Sequence, residues 1–397
     1  MTSSKRIAAL GVAMAFVVAL PLAAFAAIDK SANVKRIVHI PFAGSPEQAV
    51  GGEGATDIDF QGKYVYAMQQ GGTAGGVHII DHSARVPKEI GFFSCPGEQN
   101  DVAVVKPGLI AVAFHSGICA GLTGGGGVRL VDVRNPKDPR GLGFVNTPEG
   151  THTITAYPGG KYVYASPGGL ANGDSLEQII DVSDPSKPKV AATFGPADGG
   201  PAAGCHDLNF WFKGDEKLAI CTGAGQVQIW DVSDPVAPAV IGSVANPSFF
   251  LNHTSDVSDD GEILVISDET EAQDCVGGPD GAFWAYDFTK RPTPTPLSFF
   301  KIERGPAPVG TDRPTWCTSH NFNFIPGTHT IVASWYAAGM NVISWEDPMN
   351  PVEEAYYFGT GADAANYWSA YWYDGRIYAT DRVKGLDVFE VKGLKEG

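Results

Sequence analysis

The chain has 397 residues, with 28 Lys+Arg against 44 Asp+Glu and a formal net charge of −16. An apolar share of 44% is too large for a disordered chain, and 49 Gly with 28 Pro is too rich in helix breakers for a bundle or coiled coil. The acidic balance, without Lys/Arg clusters, argues against a nucleic-acid partner, because phosphate binding needs positive charge.

The first element is an address. Lys5 and Arg6 precede an uncharged apolar run from Ile7 to Leu20, followed by Pro21 and the small-residue stretch Ala24-Phe25-Ala26. A basic start, a short apolar middle and an A-x-A-like site predict a secretory signal peptide over 1–26. No later segment is long and apolar enough for a transmembrane helix. The expectation is a secreted or periplasmic monomer, with 27–397 as one domain. All six cysteines lie in that mature part, and an even count in an oxidising compartment points to disulfides.

From residue 34 onward one pattern recurs: a polar opening, an apolar strand, a Gly turn, a second strand, a third strand ending in D-V-x-x-P, then a fourth. It runs through Thr151 to Tyr157, the turn Pro158-Gly159-Gly160, Lys161 to Ser166, Gln178 to Pro185 and Lys189 to Phe194. Further copies place units at approximately 54–93, 98–146, 149–195, 203–245, 250–301, 316–358 and 364–392. Four-stranded units of roughly 40–50 residues are the signature of a β-propeller. The seventh unit lacks a fourth strand, and the strand at 34–42 supplies it, which closes the ring and removes two exposed sheet edges. The reading is an all-β, seven-bladed propeller of antiparallel four-stranded blades. That architecture favours Cys95–Cys119 and Cys275–Cys317 as pairs, with Cys205–Cys221 left over. Asp184 and Asp234, each before a proline, read as turn-formers.

The segments Gln178 to Pro185, Gln228 to Pro235 and Arg129 to Pro136 resemble the LVIVD-repeat family of β-propellers. The likeness extends over essentially the whole mature chain and implies a fold, not an activity. Propellers similar in architecture, such as the selenium-binding-protein/methanethiol-oxidase group and the carotenoid oxygenases, carry histidine-bound metals near the axis. Their full motifs are missing here, so their reactions do not transfer.

Aligning the openings puts Asp57, Asp101, His152, His206, His253, His320 and Trp368 in one column. Equivalent positions on innermost strands form a ring around the axis, so four imidazoles converge. Imidazole is a common ligand for transition metals, and His152, His206, His253 and His320 are the expected ligands of a divalent or transition ion such as Cu, Fe, Zn or Mn. The competing reading is a ring of structural histidines bonded to carbonyls of neighbouring blades. Residues just after each second strand rim the same funnel. Among them His115 and Glu269 are candidate acid/base groups and Arg382 a candidate anion clamp. Asp101 is a candidate carboxylate or proton acceptor, and Asp57 and Trp368 are candidate substrate contacts. The functional expectation is a metal-dependent enzyme, whether lyase, hydrolase or oxidase, acting on a small molecule or carbohydrate. The alternative is a non-enzymatic secreted scaffold whose loop-rich rim binds a protein or cell-surface glycan.

Overall fold

The computed structural model describes residues 30–397, apart from 43–53, 72–73, 118, 120–124, 149, 169–175, 196–203, 226, 247, 249–250, 271–278, 303–316 and 361–362. The expected signal peptide, Cys275 and most of the long rim segment from 304 to 318 therefore lie outside the described residues.

Seven four-stranded antiparallel sheets make the ring. The third is typical: Thr153–Ala156, Tyr162–Ser166, Glu177–Asp181 and Lys189–Phe194, in that order outward. Its second and third strands are mostly buried, with no exposed residue, while the fourth is mostly exposed. Neighbouring blades cover both faces of the middle strands, so these read as short apolar runs without alternation. The turn between the first two strands uses glycines with φ of +105° and +69° at Gly159 and Gly160, where a Cβ would be strained.

Blades adhere through apolar side chains. Met68, Val77, Ile79 and Phe93 of the first blade interlock with Val102, Ile110, Val112 and Phe114 of the second. Each fully buried side chain of this size contributes about 1.5–3 kcal/mol, so truncating Ile110 to Ala costs about 2–5 kcal/mol. The acids at the third-strand ends are turn-formers: Asp81, Asp132, Asp181 and Asp231 each accept the backbone N–H two residues on. Asp184 and Asp234 do the same before the outer strand.

The ring closes as the sequence predicts. Val34–Pro41 pairs antiparallel with Gly385–Val391, from Val34 opposite Val391 to Pro41 opposite Gly385. Buried Asp387 fastens this seam, accepting from Tyr367 Oη at 2.6 Å and lying 3.0 Å from His39 Nδ1. Around the axis, every blade is tied to the next by a polar side chain. Asp59 accepts from Val104 N, Asp101 from Ile154 N, and Asp256 from Phe324 N. Thr155 donates to Leu208 O, Asn209 to Ser255 O, Asn323 to Trp372 O, and Ser369 to Asp57. Among the described residues Cys95–Cys119 and Cys205–Cys221 are disulfides, as expected. Cys317 is disulfide-bonded too, and its expected partner is Cys275.

Candidate metal centre at the propeller axis

In the four histidine blades a β-bulge at the mouth of the innermost strand builds the site. His152 N and paired Thr153 both meet Ser166, while His206 N and Asp207 both meet Thr222. His320 and Asn321 both bond Ser334, and His253 and Thr254 together stand opposite Ser267. A bulge sets two residues against one and re-aims the side chains there. Two consecutive residues per blade therefore face the axis: the histidine, and the residue after it.

The histidine position falls one residue earlier than the expected column in the first two blades. The bulge places Thr56 and Asp57 opposite Met68, so Thr56 stands where the histidines stand. Its carbonyl accepts from Thr380, as the His253 carbonyl accepts from Thr222 and the Trp368 carbonyl from Ser334. Asn100, whose carbonyl accepts from Thr56, is the second-blade counterpart. Asp57 and Asp101 do not complete the histidine ring. They belong to the layer beneath, with Asp207 and Asn321, and are held by structural bonds. Asp57 accepts from Ser369 Oγ at 2.7 Å and Asn321 Nδ2 at 3.2 Å, and Asp101 from Val102 N and Ile154 N.

The four histidines form a continuous arc. Ring centroids are 4.4 Å apart for His152–His206, 4.2 Å for His206–His253 and 3.9 Å for His253–His320. His206, His253 and His320 are 2%, 3% and 0% exposed. Burial first, then neighbouring imidazoles, pushes their pKa values down, to about 3 for His152 and well below the ordinary range for the other three. All four rings are neutral at physiological pH and carry a free lone pair. His320 Nδ1 donates to Trp368 O at 2.5 Å, which leaves Nε2 as the lone-pair nitrogen. The Nδ1 atoms of His152, His206 and His253, and Nε2 of His320, have no hydrogen-bond partner although buried.

One carboxylate meets this arc. Glu269 puts Oε2 3.5 Å from His253 Nε2 and Oε1 3.5 Å from His320 Nε2, and it accepts from Tyr336 Oη at 2.6 Å. One potential ligand atom from each of His206, His253 and Glu269 lies within 4.8 Å of the others. Ligands about 2.0–2.2 Å from one ion are at most about 4.4 Å apart, so small adjustments would seat a metal among them. The donor set of imidazoles and a carboxylate suits a first-row transition ion. Sequence reasoning had Glu269 as an acid/base group; geometry places it among the potential ligands.

The other expected residues fall around this centre. Arg382 places its guanidinium carbon 5.3 Å from the ring centroids of both Tyr336 and Trp368. Trp368 lies edge-on to His320 at 4.9 Å. His115 extends the arc beyond His152 at 5.5 Å and bonds Pro167 O through Nε2. Gly150, at φ +79°, permits that approach, because a Cβ there would lie 2.8 Å from His115 Cδ2. His115 and Glu269 therefore sit at opposite ends of the arc and do not form an acid/base pair. Sequence reasoning missed Glu177. It lies four residues before the turn acid of the third blade, where other blades have Val77, Val128, Val227, Phe283, Met340 and Leu386, and all seven are fully buried. Aligning the third strands would have exposed this lone carboxyl.

A closed ring of seven four-stranded sheets defines the protein as a seven-bladed β-propeller. Residues 160–194 match the LVIVD repeat family. No curated protein matches the chain. The crystal structure of the Myceliophteria thermophila Cps50 (Swd1) β-propeller domain superposes with a TM-score of 0.57 at 12% identity, over 86% of this chain and 98% of that one. This likeness concerns the fold alone.

Proposed function

We propose that this propeller is a metal-dependent enzyme whose centre is formed by His206, His253, His320 and Glu269, with His152 flanking. The observation that carries the reading is the meeting of His206, His253 and Glu269, whose potential ligand atoms lie within 4.8 Å of one another, with the partnerless Nε2 of buried His320 facing the same carboxylate. A purely structural histidine ring bonds its nitrogens to carbonyls, as His320 Nδ1 does; leaving His320 Nε2 bare beside a carboxylate would cost about 1–3 kcal/mol. A bound ion would supply a Lewis-acid or redox centre for a small molecule or carbohydrate entering the funnel.

The chain's own residues have distinct parts in this reading. The bond to Trp368 O fixes the His320 tautomer, and Tyr336 orients the Glu269 carboxylate. Arg382, beside the Tyr336 and Trp368 rings, offers a cation to an anionic group of the substrate. The same reading takes the chain to be exported, to the periplasm or beyond, which the two disulfides support.

Elemental analysis of purified protein tests the proposal. About one equivalent of Zn, Cu, Fe or Mn is expected, lost when His206 and His253 are both changed to Ala. Metal-free protein that takes up none of these ions would overturn it.

A further inference from the structure

Directly beneath the histidine arc lies a cavity of about 10 Å³, the room of one water molecule. Asp57, Gln99, Asp101, His152, His253 and Asn321 line it. Four polar atoms of these residues are buried without a partner: Gln99 Oε1, Asn321 Oδ1, His152 Nδ1 and His253 Nδ1. Asn321 is 4% exposed. Its Nδ2 donates to Asp57 Oδ2 and Ser369 Oγ, so the orphaned atom is the oxygen and its orientation is fixed. Asn100 also borders the cavity and its Oδ1 is a fifth buried atom without a partner, but its Nδ2 donates to Cys95 O and its Oδ1 would lie 2.8 Å from a Cβ on Gly97, so its amide turns toward the rim. Gln99 has φ of +52°, a left-handed conformation that a non-glycine residue adopts at a cost of about 1–3 kcal/mol and keeps where surrounding structure demands it.

We infer that Gln99 and Asn321 are positioning residues for the metal centre, acting through a single water held in this cavity. The inference rests on the metal-centre reading for its purpose, not for its geometry. A water molecule accepts two hydrogen bonds and donates two, and the four partnerless atoms belong to residues that line this one water-sized cavity. The two amide oxygens can only accept. Full satisfaction therefore requires His152 and His253 to donate, each as the Nδ1–H tautomer. That leaves Nε2 as the lone-pair nitrogen on both rings, and on His253 this is the atom 3.5 Å from Glu269. Outer partners that fix a ligand's tautomer are generally worth 10–100-fold in metal affinity. The water thus does for His152 and His253 what the Trp368 carbonyl does for His320.

The test reads tautomers in metal-free protein by long-range ¹⁵N NMR on selectively ¹⁵N-histidine-labelled chain at pH 7. Wild type should show His152 and His253 as Nδ1–H, the minority form in free imidazole. Gln99→Gly and Asn321→Leu should each return at least one ring to Nε2–H or to exchange between forms. Gln99→Gly keeps the left-handed turn comfortable, so it should fold even if Asn321→Leu does not. Zn²⁺ titration should then give 10–100-fold weaker binding for Gln99→Gly than for wild type. Nε2–H on both rings of wild type would overturn the inference, as would unchanged tautomers and unchanged Zn²⁺ affinity in Gln99→Gly. A chain that binds no Zn²⁺ but shows both Nδ1–H tautomers would refute the metal centre and leave the water bridge standing.

Discussion

Glu177→Gln should stabilise the propeller in a pH-dependent way. Glu177 is fully buried and accepts from Ser166 Oγ at 2.8 Å, while Oε2 has no partner. Burial, with a smaller contribution from the Asp207 charge and partly offset by the Ser166 bond, raises its pKa from 4.5 to about 8. The folded chain therefore holds a proton that the unfolded chain releases between those values. Stability falls as pH rises through that window and is unaffected by this group below about 4.5. At 1.36 kcal/mol per pKa unit, the loss is about 3 kcal/mol at pH 7 and approaches about 5 kcal/mol above pH 8. Glutamine keeps the shape and removes the titration. In urea unfolding at pH 4.5, 7 and 8.5, the variant's advantage over wild type should grow by about 3 kcal/mol between the first two, while all other groups cancel in the difference. Two curves that stay parallel across the series would show that this carboxyl is not held protonated, and the reasoning would fail.

Other consequences can be measured alongside. Asp256→Ala removes the acceptor for Val257 N and Phe324 N and should lower unfolding stability by about 2–5 kcal/mol, read in urea, from about 1–3 kcal/mol per orphaned donor. Replacing Cys205 and Cys221 together with Ala opens a link across 16 residues and should cost about 3 kcal/mol by the loop-entropy relation, seen as a lower denaturation midpoint that reductant no longer changes. Because burial holds the four histidines neutral far below their usual range, protons should compete poorly for the ion. Equilibrium dialysis at pH 7 and pH 5 should give metal affinities within a few-fold of each other. Solvated imidazoles would lose about 30-fold per histidine over that interval.

The architecture was legible because a propeller writes itself as repetition. Turn acids such as Asp181 and Asp231 recur at one place in each unit, and the unmatched strand at 34–41 had one place to go. The histidine arc was legible for the same reason. What the sequence concealed was the bulge. A residue inserted against one partner leaves no mark in composition, so Asp57 aligned with the histidines although Thr56 occupies that position; in the second blade, whose register is uninterrupted there, Asn100 rather than Asp101 stands in line with them. Glu269 was hidden differently: its rim position was readable, but not its closeness to His253 and His320, which depends on the tilt between blades. Glu177 is hidden because the recurring third-strand segment begins at Gln178, one residue after it, and every other blade carries an apolar residue at its position.

The central claim is that the arc and Glu269 hold one transition-metal ion. Anomalous diffraction at the absorption edge of the bound element is the most direct measurement. The account predicts a single peak about 2.0–2.2 Å from Nε2 of His253 and a Glu269 oxygen, with His206 and His320 completing the set. Crystals of metal-loaded protein with no peak on the axis, or with the ion seated away from these side chains, would contradict it.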